Sequence, residues 1–557
     1  MKFKRYFNLK LYDNSLYFIS DETGKRELYR YDLKQKWSKK VTDTEQNVKG
    51  YWFVNDKLYI SFDFNGNERE QLYILKDKAL IPVIEEPDYF HYFLTELNEE
   101  VYYTRNHYLD KGYRLFNLKE EVLGHFDSPT TIIGTIDSQY LVLKIDYSNI
   151  DTEVVLFDIN SNEIVDIPLE GHRYDSFTQL DKNTALIISD ETNGFMNLHK
   201  IDLNTYELEA LTELPFDVLS YKQYRNKEYI IDVNEAGYSA LYNFSLHDYV
   251  MDPLDFYQDG VVHGYIVDNQ KLYVLFSSIN SPMQVYQYLF DNGEIKTLFG
   301  NKSIDNFKTE RLSYQSFDGK EIEYFLYPIE EDQVPTVIHI HGGPESQARP
   351  EFNELYYDLY RDGFQVAIPN IRGSSGYGVD FLKMDDREKR LDAMKDVVAL
   401  RETLLEGNAD ENNIFVMGRS YGGFMTLLLA THHSELFKGA VDIVGISHLR
   451  TFLENTPAWR KHLRSAEYGF LGQDDEFMEK IAPLNKSKDV TIPLRIFHSQ
   501  HDARVPNSES EQMYEKMKAN GQNVEFISYP NDGHAYLFNE NTDDMHQKIR
   551  TFFKELL

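Results

Sequence analysis

Cysteine is absent from this 557-residue chain. Disulfides, thiolate catalysis and cysteine-ligated metal sites are therefore excluded outright. No apolar run reaches the roughly 18 residues that a membrane-spanning helix needs. The charged opening Met1-Lys2-Phe3-Lys4-Arg5-Tyr6 is followed by no long apolar stretch, so it does not read as a signal peptide, and a cytoplasmic location is expected. Basic residues are scarce: 58 Lys and Arg face 91 Asp and Glu, a formal charge of −33. Both halves of the chain are acidic, which argues against nucleic acid or anionic lipid as a main partner. Tryptophan is also rare, with 3 residues against 41 Tyr and 36 Phe, a balance that favours strands over long helices.

The first 300 residues repeat a short, Tyr-rich apolar strand. It recurs at Leu16-Tyr17-Phe18, Leu58-Tyr59-Ile60, Val101-Tyr102-Tyr103, Leu141-Val142-Leu143, Ala185-Leu186-Ile187, Tyr229-Ile230-Ile231 and Leu272-Tyr273-Val274. The spacing is about 40–44 residues each time, the period of a propeller blade built of short strands and turns. Seven repeats predict seven blades over residues 1–305. After about residue 305 strands and helices alternate, which predicts a mostly parallel sheet covered by helices over 306–557. Candidate strands are Thr336 to Ile340, Phe364 to Ile368, Ile414 to Met417, Ala440 to Val444, Leu494 to His498 and Val524 to Ser528. Candidate helices include Arg390 to Leu405, Phe424 to His433 and Ser508 to Asn520. The fold class expected is a multidomain chain, a seven-bladed β-propeller followed by an α/β-hydrolase domain.

The chemistry sits at the ends of those strands. Ile414 to Met417 runs into Gly418-Arg419-Ser420-Tyr421-Gly422-Gly423 and then a helix. This is G-x-S-x-G in the strand–turn–helix setting its mechanism needs: glycines permit the sharp turn that pushes the Ser420 hydroxyl out of the sheet edge. A serine hydroxyl needs a base beside it, and in this fold the partners follow in the order serine, acid, histidine. Asp502 lies just past the strand Leu494 to His498, and His534 just past Val524 to Ser528. Rivals are Asp532 for the acid and His498 or His501 for the base. The second oxyanion donor, beside the Tyr421 N–H, is expected after the strand Thr336 to Ile340, in His341-Gly342-Gly343-Pro344, with the Gly343 N–H as candidate. Arg372-Gly373-Ser374-Ser375-Gly376-Tyr377-Gly378 is glycine-rich but has no Walker lysine or ribose-binding acid at the right offset, so it reads as a structural loop near the active site. No metal-ligand spacing appears, and no metal or cofactor is implied.

These motifs together resemble the prolyl oligopeptidase family of serine peptidases: H-G-G-P at 341–344, N-x-R-G-S-x-G-Y-G at 370–378, G-x-S-Y-G-G at 418–423, D-x-R-V-P at 502–506 and G-H at 533–534. Ser281-Pro282 with Val285-Tyr286 resembles the family's last-blade signature, and the H-G-G-P form is most similar to the acylaminoacyl peptidase branch. The resemblance implies Gly343 and Tyr421 as the oxyanion hole and Arg504 as a contact to a substrate carbonyl. It also implies an active site between the two domains that admits short peptides. The sequence departs from the family at Ser499, where glycine is frequent, at Arg419, and in starting almost directly in the first blade, which leaves a homo-oligomer open. A peptidase removing N-terminally blocked residues, an oligopeptidase, an aminopeptidase-like relative, an esterase with the same triad and a non-catalytic propeller scaffold are the readings in play.

Overall fold

A strand with apolar residues on both faces has to be covered on both faces, and stacking blades around a ring does this. The computed structural model describes residues 3–98, 100–268 and 270–557; Met1 and Lys2, which open the charged N-terminus and the proposed first domain, lie outside them. Among the described residues the first 300 form seven four-stranded antiparallel sheets, at 6–40, 48–84, 89–126, 130–166, 174–210, 217–253 and 260–300. Each Tyr-rich repeat is the second strand of its blade, for example Ser15–Ser20 in the first and Lys271–Ser278 in the seventh. Ile19 and Leu28 of blade 1 pack against Val48, Tyr51 and Ile60 of blade 2. A buried apolar side chain of this kind contributes about 1.5–3 kcal/mol.

The tyrosines add a polar tie across these apolar seams. Tyr51 Oη donates toward the carbonyls of Asn8 and Tyr17 in the preceding blade. Tyr221 does the same to Ser176 and Leu186, and Tyr265 to Ile230. Buried phenols need such partners, and burial pushes the Tyr51 hydroxyl well above its ordinary range. The ring closes without a shared strand. Blade 1 and blade 7 each contain only their own four consecutive strands. They meet through apolar packing of Tyr6 and Leu16 against Tyr273 and Val285. A two-way hydrogen bond also joins them: Lys4 N–H donates to Asn301 Oδ1 at 2.8 Å and Asn301 Nδ2 donates to the Lys4 carbonyl at 2.8 Å.

Residues 310–557 form an eight-stranded sheet flanked by helices. Across it the strands run Glu310–Gln315, Glu321–Tyr327, Gln365–Pro369, Val334–Ile340, Ala409–Arg419, Gly439–Ile443, Leu494–Ser499 and Val524–Tyr529. The first two form an antiparallel hairpin, Glu321–Tyr327 pairs antiparallel with Gln365–Pro369, and every later pair is parallel. The core strands are continuously apolar, as a sheet covered on both faces requires; Val337, Val416 and Val441 are fully buried. The strand ahead of the serine is longer than the sequence pattern predicts. Polar Asp410-Glu411-Asn412-Asn413 carries no strand signal, yet the strand spans Ala409–Arg419.

Candidate active site

Parallel strands deliver their C-terminal ends to one edge of the sheet, and the chain turns sharply after each. At the end of Ala409–Arg419, Ser420 adopts φ +56° and ψ −117°, and the helix Tyr421–His432 starts at the next residue. A left-handed serine costs about 1–3 kcal/mol and persists only where its surroundings hold it. Here the Ser420 N–H donates to the Ile443 carbonyl at 2.8 Å, and the Phe424 N–H donates to the Ser420 carbonyl at 3.0 Å. The glycines are steric necessities. A Cβ on Gly418 would lie 2.1 Å from the Gly422 carbonyl oxygen, and one on Gly422 would lie 2.0 Å from the Ile340 carbonyl oxygen. The helix therefore packs directly onto the strand that carries the H-G-G-P loop.

Asp502 and His534 come together at the ends of the last two strands. His534 Nδ1 lies 2.7 Å from Asp502 Oδ2. The other carboxylate oxygen accepts the N–H groups of Arg504 at 2.8 Å and Val505 at 2.9 Å. The Asp502 side chain is fully buried. Burial alone would raise its pKa, but the adjacent His534 and His498 outweigh that and hold it far below the usual carboxylate range. His534 is itself lowered, first by burial and then by the nearby Arg419 and Arg504, against the opposing pull of Asp502. Among the described residues the Ser420 hydroxyl makes no hydrogen bond; such contacts often tighten only when substrate is bound.

The rivals are otherwise engaged. Asp532 accepts from the N–H groups of Gly533, Leu537 and Phe538 and from Asn541 Nδ2, closing the turn into the C-terminal helix Asn539–Leu556. His498 is fully buried, with Nδ1 2.7 Å from Ser510 Oγ and Nε2 3.0 Å from the Val505 carbonyl oxygen. Its Nε2 also lies 3.4 Å from Asp502 Oδ2. Both imidazoles therefore lie against the same carboxylate oxygen. Burial would lower His498, yet the Asp502 hydrogen bond and charge raise it. His501 is exposed.

Tyr421 and Gly343 supply free backbone donors. Tyr421 opens its helix, where N–H groups have no intrahelical partner. Among the described residues neither N–H donates to another protein group. Gly343 has φ +132°, and a Cβ there would lie 2.7 Å from the Glu345 nitrogen. The Tyr421 side chain is anchored below: its hydroxyl donates to Asp385 Oδ2 at 2.9 Å, and Arg390 Nη1 holds the same oxygen at 2.8 Å. The glycine-rich loop braces this region. Ser374 Oγ lies 2.8 Å from His341 Nε2, Arg372 grips Asp396 through two nitrogens, and Gly373 leaves room for the Asp385 carboxylate.

Two arginines of the site are tied to other segments. Arg419 donates to the His534 carbonyl oxygen and lies over the Tyr536 ring, lashing the histidine loop to the elbow, and its charge is one of those that lower His534. Arg504 does not stand free, because its Nε donates to Glu68 Oε1 of blade 2 at 2.6 Å. Two residues before Glu68, Gly66 presses against Gly533, where a Cβ would meet the Gly66 carbonyl oxygen at 1.9 Å. One propeller loop thus touches both the acid loop and the histidine loop. Glu68 is 436 residues from Arg504, and nothing in the sequence pattern pairs them. Trp459 packs against Phe90 and Tyr113 of blade 3.

The model of the prolyl oligopeptidase family matches residues 350–557. Dipeptidyl aminopeptidase BIII of Pseudoxanthomonas mexicana is 26% identical over 314 residues, which cover 52% of this chain and 45% of that protein. The acylamino-acid-releasing enzyme of Homo sapiens is 29% identical over 220 residues, 37% of this chain and 29% of that one. The chain spans less than half the length of these relatives. A puromycin-hydrolyzing peptidase from Mycobacterium tuberculosis has a similar fold over 99% of this chain and 94% of its own, with a TM-score of 0.89 at 15% identity.

Proposed function

We propose that this chain, whose residues 350–557 match the model of the prolyl oligopeptidase family, is a serine peptidase of short peptides, working through an acyl-enzyme on Ser420. The observation that carries the reading is the strained Ser420 elbow on the same sheet edge as the 2.7 Å Asp502–His534 hydrogen bond. The domains are divided at 305/306, within the segment between the last blade strand, Ile295–Gly300, and the first sheet strand, Glu310–Gln315.

Ser420 Oγ attacks the scissile carbonyl while His534 takes its proton. Asp502 holds the His534 tautomer and stabilises the imidazolium. The Tyr421 and Gly343 N–H groups receive the oxyanion, and loss of one such donor typically costs about 10²–10³ in turnover. His534 then gives the proton to the leaving amine. Water, deprotonated by the same histidine, attacks the ester, and the acid leaves with Ser420 restored. Arg504 has five N–H donors; its Nε is on Glu68, and its terminal nitrogens reach a substrate carbonyl. The proposed compartment is the cytoplasm, where short peptides from protein breakdown are the substrates, and cell fractionation tests it.

His534 must be neutral to act as base, and its pKa is lowered from the ordinary 6.5. The acid limb of kcat/KM is therefore expected to be centred below pH 6.5. A limb centred above 6.5 contradicts the environment described for His534.

The reading is tested by labelling with a fluorophosphonate and by comparing acetyl-Leu and free Leu p-nitroanilides, with the matching Ala pair. Labelling at Ser420 with turnover of blocked amides only supports acylaminoacyl specificity. Equal or better turnover of free amides makes the enzyme an aminopeptidase. An unlabelled Ser420 with no amide turnover refutes the peptidase.

A further inference from the structure

The charge of the whole molecule and the charge beside its active site have opposite signs. At −33 the protein as a whole favours cations. Yet a cavity of about 310 Å³ between the domains is lined by three arginines, Arg460, Arg464 and Arg504, with Tyr92, Tyr113 and Trp459 as its aromatic wall. The tyrosines come from blade 3, Trp459 to Arg464 from the hydrolase helix Ala458–Tyr468, and Arg504 from the loop of Asp502.

Two of the three guanidinium groups have carboxylate partners. Arg504 is paired with Glu68 at 2.6 Å, and Arg464 with Glu467 at 3.0 Å. Asp146, the other acid on the cavity wall, lies 3.9 Å from Lys144. Among the described residues Arg460 has no side-chain hydrogen bond and no ion pair; its guanidinium lies 6.0 Å from the centre of the Trp459 ring. Burial and the neighbouring Arg464 and Arg504 push Arg460 down to about 10, opposed by Glu68 and Asp502, so it remains charged at neutral pH. A partly desolvated cation with no carboxylate in contact is costly, and its planar fork matches a carboxylate two bonds at a time.

We infer that Arg460 is a specificity residue that receives a substrate carboxylate in this cavity, so that the preferred peptides carry an acidic side chain or a free C-terminal carboxylate within reach of Arg504. The inference rests on the peptidase reading and names its substrate class. The aromatic wall holds the apolar part of the neighbouring residue, and the carboxylate completes the one guanidinium of these three that has no carboxylate partner among the described residues.

The test uses the full-length Ser420→Ala protein, which holds peptides uncleaved, so that it stands apart from turnover and from fluorophosphonate labelling of the wild type. Acetylated tetrapeptides in which Glu is exchanged for Gln position by position, each as C-terminal acid and as amide, are titrated by calorimetry. The expected result is that one carboxylate improves Kd by about 10- to 100-fold over its neutral counterpart. Dependence on Glu identifies a side chain, and dependence on the free acid identifies the C-terminus; either supports the inference. The preference collapses to within about threefold when Arg460→Gln is added and is regained in part by Arg460→Lys. No carboxylate preference at any position, or a preference that survives Arg460→Gln, overturns it. Catalytic failure of the wild type with the binding preference intact would instead count against the peptidase reading alone.

Discussion

Ser420→Ala is expected to lower kcat by about 10⁴–10⁶ while the protein folds normally. The size follows from what the hydroxyl does: without it no acyl-enzyme forms, and what remains is the oxyanion hole and substrate positioning. The fold should tolerate the change, because the elbow is held by backbone contacts rather than by Oγ. The Ser420 N–H is on the Ile443 carbonyl, and Gly418 and Gly422 provide the close approach to the strand Val334–Ile340. Alanine at φ +56° keeps the strain the serine already bears. The measurement is amide hydrolysis beside thermal unfolding. A mutant with near-wild-type turnover removes Ser420 from the chemistry, whereas a large loss with unchanged Tm supports it as nucleophile.

Asp502→Asn should cost about 10³–10⁴ in kcat. The mutant side chain is close to isosteric, and its carbonyl can still accept the N–H groups of Arg504 and Val505, so the loop should stay in place. Its NH₂ then faces two imidazoles, His534 at 2.7 Å and His498 at 3.4 Å from the replaced oxygen. His534 Nδ1 is forced to accept, which leaves the proton on Nε2, the wrong nitrogen for taking one from serine. The mutant also removes the anion that stabilises the imidazolium. A loss of tenfold or less would pass the acid's role elsewhere, and Asp532 is poorly placed to receive it with its oxygens on three backbone N–H groups and Asn541.

The strand ends were the legible part of this protein. Nucleophile, acid and base each follow a short apolar strand, and hydrolase topology places parallel strand ends on one edge. The blades were legible because each repeats one Tyr-rich strand that must be covered on both faces. The start of the serine's helix was less visible. Periodicity places it at Phe424, while it begins at Tyr421, because Gly422-Gly423 has low helix propensity and is present for close packing. What a local reading does not reach is partnership between distant segments. Glu68 meets Arg504 across 436 residues, Asp385 anchors the Tyr421 phenol from another segment, and Arg460 has no carboxylate partner among the described residues. Charge type is written in the sequence, but pairing is decided by the docking of two domains.

The ring that closes without a shared strand also bears on how the chain is made. Had blade 1 borrowed a strand from the end of the ring, its sheet would stay open until some 300 residues had left the ribosome. Here the four strands of blade 1 lie within residues 6–40, so the blade can pair its backbone as soon as that short stretch emerges. Synthesis at about 5–20 residues per second then adds one complete sheet every few seconds, each meeting a finished neighbour. The apolar faces most prone to aggregation are covered in the order they appear, and the Lys4–Asn301 clasp forms last, as the hydrolase domain begins to emerge.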